Sequence, residues 1–324
     1  MSFHERLREI PLLSITRDVP LSRYTRFGIG GPADAMAETS SEEAFMAASK
    51  MVRAAGVPLE VIGGGSNLIV SDAGFRGVVL RFIGGVICVD GARITAQAGA
   101  ELQALVDVSI AQGLGGIHTM TRIPGLVGAA VYGNAGAYGH SIHEWVEAVR
   151  FFDGSAIRTF NHAQCEFRYR ESLFKRHKEW TIFSTILHLK LGDSQLLSQK
   201  AEEIRAIRDE KYPPTMKCAG SIFKNLLYAN LPAAVQAQVP ADKVREGKVP
   251  SAYFLEKVGA KGMRIGGIVN ADHHANLIYN EGNGTAAQVC AIVDELKSRI
   301  RERFHFDLEE EVQYVGFEGV RKSF

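Results

Sequence analysis

The chain has 324 residues, about two domains' length at roughly 150 residues each. Its 46% hydrophobic and 23% charged residues are the proportions of a protein with a buried core, which excludes a disordered tail. Lys and Arg number 37 against 36 Asp and Glu, and the resulting net charge of +1 excludes the basic field of a binder of nucleic acid or acidic lipid. Glycine, at 33 residues, exceeds the ordinary ~7% without any collagen-like period, and 21 of the 33 fall in residues 1–140.

In chain order, the start MSFHERLREIPLLS is charged and lacks an apolar leader core, so a cytoplasmic protein is expected. Ser40-x-x-Glu43 predicts a capping box and a helix stopped by Gly56, with Phe45, Ala48 and Val52 on one face. Strands are predicted over 59–62, 67–70, 77–82 and 93–98. A helix over 101–112 turns Leu102, Leu105, Val106 and Ile110 inward and stops at Gly113. The uncharged run 123–143 is too interrupted by Pro124, Asn134 and glycines to be a membrane helix. Strands follow over 148–152 and 181–191, then a helix over 194–211 with a charged exterior and Leu197, Ala201 and Ile204 inside. Pro213-Pro214 after it is the best candidate boundary. Thr285-x-x-Gln288 opens a last helix striped by Val289, Ile292, Val293, Leu296 and Ile300, and a strand over 308–315 ends the series. Helices and strands mix without a regular βα alternation, which predicts an α+β fold rather than a doubly wound one.

Cys88, Cys165, Cys218 and Cys290 are too widely spaced for a zinc framework or a redox dithiol and read as free thiols. His140-x-x-His143 and His273-His274 lack a third ligand at a telling spacing, so no metal is expected.

The glycines gather in three blocks. Gly28-Ile-Gly30-Gly31-Pro32-Ala33 formally matches G-x-G-x-x-A, but no helix opens at its end, as a dinucleotide fingerprint requires. Gly63-Gly64-Gly65-Ser66-Asn67-Leu68 lies between two strands. Consecutive glycines there make an anion nest or, on spacing alone, a plain tight hairpin. The longest block, 113–139, holds Ile123-Pro124-Gly125 and Val127-Gly128 and ends near Asn134 and Gly136. Backbone bared over such a length packs either against a flat cofactor or against a close helix–strand contact.

Together with Tyr24-Thr25-Arg26-Phe27-Gly28, Phe167-Arg168-Tyr169-Arg170-Glu171-Ser172, Gly220-Ser221-Ile222-Phe223-Lys224-Asn225, the 262–267 segment and the 308–316 segment, these blocks run through nearly the whole chain. In that order the sequence resembles the UDP-N-acetylenolpyruvoylglucosamine reductase family. The resemblance implies a vanillyl-alcohol-oxidase-type (PCMH-like) FAD-binding fold plus a smaller α+β substrate-binding domain. It implies a first FAD-binding lobe over 1–80 with a C-terminal return at 306–324, a second lobe over 81–205 and a substrate-binding domain over 206–305. The short Arg170-to-Ser221 spacing resembles the branch without an extra substrate-covering loop. Noncovalent FAD is implied on Gly63, Gly64, Gly65, Ser66, Asn67, Leu68, Ile123, Pro124, Gly125, Val127, Gly128, Asn134 and Gly136, with NADPH as co-substrate. Leu126 departs from the family, which usually has Thr or Ser there.

The catalytic residues implied are Arg170, Ser221 and Glu311, and Tyr138, Lys224 and Asn225 are implied substrate contacts. The residues alone leave other readings open. Arg170 could pair with Glu171 at the surface, and Arg168 is an equal candidate for its role. Ser221 could be an ordinary turn residue, and 309–311 a solvated edge on which strand alternation separates Glu309 and Glu311 from Leu308 and Val312. The partner implied is a small nucleotide sugar, with no nucleic acid or membrane, and a monomer is expected. Another FAD-dependent oxidase or dehydrogenase of the same fold, or a catalytically silent nucleotide-binding protein, stands as the alternative.

Overall fold

The computed structural model describes residues 3–317. Three sheets organise it. The first has four strands in the order Ser14–Pro20, Pro32–Thr39, Phe75–Phe82, Leu59–Val61. Its first pair is antiparallel and the other two pairs are parallel. The second is antiparallel, in the order Ile157–Asn161, Val146–Phe152, Thr181–His188, Arg93–Gln97, Ile87–Asp90. The third, also antiparallel, runs Lys217–Ser221, Leu277–Asn280, Ile268–Asn270, Arg264–Ile265.

Helix Glu42–Ala54 covers the first sheet, and its Phe45 meets Phe82 and Phe183 edge-on, so one apolar core joins the first two sheets. The cap of this helix is Ser41, whose Oγ accepts from the Ala44 N–H at 3.2 Å, rather than Ser40. Gly56 and Gly113 stand at positive φ where their helices stop, as the sequence predicts. Helix Ser194–Lys211 runs unbroken through residues 205 and 206, so the backbone break lies beyond it, at the two prolines.

The third sheet is backed by helix Ala286–Phe304, whose predicted stripe of Val289, Ile292, Val293, Leu296 and Ile300 is fully buried. This second core also takes in Phe27 and Ile29 from the N-terminal part and Leu308 and Val312 from the last segment. Asp72, just past strand Leu68–Val70, accepts from the Ala286 and Ala287 N–H groups at 2.8 and 3.0 Å, which fastens the start of that helix to the first lobe.

The predicted strand over 308–315 shortens to Gln313–Val315, which pairs in parallel with Leu68–Val70. Residues 309–311 leave regular strand geometry because they turn aside to meet the third sheet. Glu310 forms an isolated bridge with Phe223, and the Glu311 N–H donates to the Ile222 carbonyl at 2.7 Å. Of the expected return over 306–324, residues 318–324 lie outside the described ones.

Candidate active site

A cavity of about 1160 Å³ opens where the three sheets meet. Its floor is the turn after strand Leu59–Val61. Gly65 has φ +64, and a Cβ there would lie 1.7 Å from the Tyr24 carbonyl oxygen, so only glycine fits. Gly65→Ala is expected to destabilise the fold by more than about 3 kcal/mol, read as a fall in Tm together with loss of bound flavin.

Among the described residues, the N–H groups of Gly63, Gly64, Gly65, Ser66 and Asn67 donate to no protein acceptor. Backbone donors are almost always satisfied when covered, so this row of amides suits an anionic ligand. The opposite wall is the 123–136 segment. A Cβ on Gly64 would sit 3.3 Å from Gly125 Cα, and Ser66 Oγ donates to the Pro124 carbonyl at 3.2 Å. These two bare backbones fit an FAD pyrophosphate and ring system: donors line one side, and glycine and apolar surface the other.

Ile123, Pro124, Gly128, Gly136 and Leu68 line the cavity with the 63–67 turn, and so does Leu126. Val127 does not; it is fully buried in the core on the first turn of helix Val127–Tyr132. Asn134 is buried too, and its side chain donates to the Arg168 carbonyl at 2.7 Å and accepts from His143. Gly125 is not among the lining residues; it stands at φ +117, where a Cβ would lie 2.7 Å from Ser66 Oγ.

Arg170, Ser221 and Glu311 all line the cavity. Arg170 Nε donates to Glu311 Oε1 at 2.7 Å, and Nη2 donates to the Gly136 carbonyl at 2.9 Å. Its ion-pair partner is therefore Glu311 rather than the adjacent Glu171, and Arg168 is exposed at the other side of the turn. Glu311 is tied on three sides: its carboxylate to Arg170, its N–H to Ile222 and its carbonyl to Asn67 Nδ2 at 2.9 Å. One residue thus connects the glycine turn, the arginine and the segment next to Ser221. Ser221 ends strand Lys217–Ser221, where the register with Leu277–Asn280 shifts after Cys218 and Gly220 has φ +76. Such a bulge re-aims a side chain, here into the cavity, 3.5 Å from the Tyr212 hydroxyl.

Lys224 is buried and bonds Glu171 Oε1 at 2.7 Å as well as Glu309. Burial pushes its ammonium down, but the two carboxylates outweigh that and hold it above its ordinary value. The Asn225 N–H donates to the Tyr169 hydroxyl at 3.2 Å. Tyr138 is exposed, at φ +54, and is not among the residues that line the cavity.

Sequence reasoning passed over Arg208 and Tyr212 as part of a charged helix end. The structure turns both to the cavity, and burial lowers the Arg208 pKa. The Arg208 Nε finds no partner among the described residues. Glu60 also lines the cavity, and burial pushes its carboxyl up to about 7. Between the ordinary carboxylate range and pH 7 the folded apoprotein therefore holds a proton that the unfolded chain has released, so stability falls as pH rises through that window. Glu60→Gln is expected to flatten this slope, measured as the apoprotein Tm between pH 5 and pH 8 in about unit steps.

Residues 33–158 match the family model of an FAD binding domain, and residues 212–315 match that of the UDP-N-acetylenolpyruvoylglucosamine reductase C-terminal domain. The chain is 62% identical over 311 residues to the UDP-N-acetylenolpyruvoylglucosamine reductase of Solibacter usitatus (strain Ellin6076), covering 96% of this chain and 100% of the relative. It is 31% identical over 315 residues to the protein of that name from Bacillus subtilis (strain 168), covering 96% and 97%. The crystal structure of the Thermus caldophilus reductase superposes with a TM-score of 0.74 at 28% identity, covering 94% of this chain and 99% of that one.

Proposed function

The chain belongs to the UDP-N-acetylenolpyruvoylglucosamine reductase family, and from that premise we propose how its residues divide the work. The reaction is the NADPH-dependent reduction, via FAD, of the enolpyruvyl ether of UDP-N-acetylglucosamine enolpyruvate to UDP-N-acetylmuramate, in peptidoglycan precursor synthesis. The fold is the vanillyl-alcohol-oxidase-type FAD-binding fold with an added α+β domain. When bound, FAD supplies the hydride chemistry, with NADPH as the source. The N–H row of 63–67 would hold its pyrophosphate, and the 123–136 backbone its ring.

The observation that carries the assignment is the Arg170–Glu311 contact at 2.7 Å inside the cavity. Hydride addition to an α,β-unsaturated carboxylate drives negative charge onto the carboxylate oxygens. A guanidinium fixed there opposes that charge, and donors in this role are worth ~2.7–4 kcal/mol. Arg170 is held in plane by Glu311 and Gly136 and keeps further N–H groups for a two-point grip. Glu311 stabilises the same intermediate with Arg170 in its protonated form, because a bare carboxylate would repel the developing charge. Ser221 donates the proton to the neighbouring carbon, and the bare Gly220 before it lets a flat substrate approach. Lys224, committed to two carboxylates, acts as a fixed charge behind Ser221, with Asn225 beside it. Arg208, in the cavity wall, and the exposed Tyr138 would meet the nucleotide-sugar end, where a part-buried guanidinium whose Nε has no partner among the described residues suits a diphosphate.

We read residues 1–80 with the 306–324 return as the first lobe, 81–205 as the second and 206–305 as the substrate domain; one sheet lies mainly in each, although strand Phe75–Phe82 and helix Ser194–Lys211 run across the two inner bounds. We further read the protein as a cytoplasmic monomer that engages neither nucleic acid nor membrane. The near-zero net charge supports this, and among the described residues no helix is long and apolar enough to cross a membrane.

The test is anaerobic. NADPH should bleach the flavin of the purified protein, and the enolpyruvyl nucleotide should restore its absorbance. Bleached flavin that the nucleotide fails to restore would overturn the reading.

A further inference from the structure

Arg170 occupies an unusual backbone position for a side chain of its size. Arg168 and Glu171 exchange two backbone hydrogen bonds, at 2.9 and 3.0 Å, so Tyr169 and Arg170 form a two-residue turn. Arg170 is its second corner, at φ +57, while Tyr169 keeps a negative φ. This is the type II pattern, in which the second corner ordinarily goes to glycine. Left to itself, Arg170 would relax to negative φ and swing its Cβ, and with it the guanidinium, away from Glu311.

Something must hold the corner, and the structure shows a candidate. Lys175 lies on the short helix Leu173–Arg176 and is 5% exposed. Its Nζ donates to the Arg170 carbonyl at 3.0 Å and to Glu171 Oε1 at 2.8 Å. The helix is itself fixed. The Ser172 hydroxyl donates to the Tyr132 carbonyl at 2.7 Å and accepts from the Lys175 N–H at 3.2 Å. Lys224 grips the same Glu171 oxygen from the third sheet. A single ammonium thus holds the strained corner's own carbonyl and the carboxylate of the residue that follows it. An interior lysine that served only stability would need a carboxylate partner. It would not need the one backbone carbonyl whose orientation sets the aim of the catalytic arginine.

We infer that Lys175 is the positioning residue that keeps Arg170 aimed at the substrate carboxylate. The inference rests on the reading of Arg170 given above. It separates the two half-reactions: the arginine meets the enolpyruvyl carboxylate, so its misplacement slows oxidation of the reduced flavin by substrate and leaves reduction by NADPH alone.

The test uses the flavin-loaded holoenzyme in stopped flow. Lys175→Met is expected to keep its flavin and to bleach with NADPH within about twofold of the parent, while reoxidation by the enolpyruvyl nucleotide slows roughly 10- to 100-fold, the cost of misplacing a reacting group by an ångström. Lys175→Arg, which keeps a donor for the carbonyl, is expected to recover much of that rate. In an Arg170→Ala background Lys175→Met should cost nothing more, because the two act through one contact.

Parental reoxidation in Lys175→Met, or an undiminished loss in the Arg170→Ala background, would overturn the inference. Loss of flavin from Lys175→Met and Lys175→Arg alike would do the same, by assigning the lysine to folding. Normal reoxidation in Arg170→Ala alone would instead strike the reading of Arg170. A slow Arg170→Ala beside a fast Lys175→Met would strike only the role of Lys175.

Discussion

Arg170→Ala is expected to keep its flavin and its reduction by NADPH and to lose about 10²–10³ in kcat, the range found when a single donor to a developing oxyanion is removed. The loss should fall on kcat more than on KM, because the charge that Arg170 meets grows only as hydride arrives. The geometry adds a second consequence. Arg170 Nε is bonded to Glu311 Oε1 and Nη2 to the Gly136 carbonyl, so removing the guanidinium leaves a part-buried carboxylate without its ion-pair partner. The damage should therefore exceed that of Arg170→Lys, which keeps the charge but loses the fork. Steady-state kinetics with saturating NADPH measures both, and near-parental kcat in the alanine variant would remove Arg170 from the reaction.

Ser221→Ala is expected to do its harm one step later. NADPH should bleach the flavin at the parental rate, and reoxidation by the enolpyruvyl nucleotide should stall, with a loss of the order of 10²–10⁴ typical of a missing general acid. The change deletes one hydroxyl at the end of a strand, and the nearest partner, the Tyr212 hydroxyl at 3.5 Å, is at the limit of hydrogen bonding. Little stability is at stake, so the effect reads cleanly as chemistry. Solvent deuterium sharpens the comparison: reoxidation of the parent should slow in D₂O if proton delivery is part of the step. Normal reoxidation in Ser221→Ala would exclude the serine as proton donor.

Much of this fold is legible in the sequence where a physical signal is strong and local. The helix stripe from Val289 to Ile300 and its Thr285–Gln288 cap are such a signal, and both are present. Strand Ser14–Pro20, by contrast, reads as polar and is mostly exposed. Pro32–Thr39 is rich in alanine, a weak strand former, and only tertiary pairing on both sides makes it a strand. The strand expected through Glu311 fails for a tertiary reason as well, because its 309–311 part bonds to the 222–224 backbone instead of to a regular neighbour.

The candidate site follows the same division. The glycine excess marks the turn and wall that bare their backbone, since positive φ and close approach leave a compositional trace. No such trace marks Arg208 or Tyr212. They end a helix that reads as charged outside and become a cavity wall only when distant parts of the chain are brought together. The choice between Arg168 and Arg170 is likewise invisible to spacing and is made by the turn that exposes one and points the other inward.

The pairing of Gln313–Val315 with Leu68–Val70 has a consequence in time. A chain leaving the ribosome exposes the cofactor turn early and supplies Glu311 more than 240 residues later, as the Asn67–Glu311 separation of 244 records. Contacts between such remote segments close slowly, because the whole intervening loop must be ordered first. On the reading proposed for Arg170 and Glu311, the site is complete only once the last strand has paired, because the Arg170 contact and the Asn67 contact both wait for Glu311.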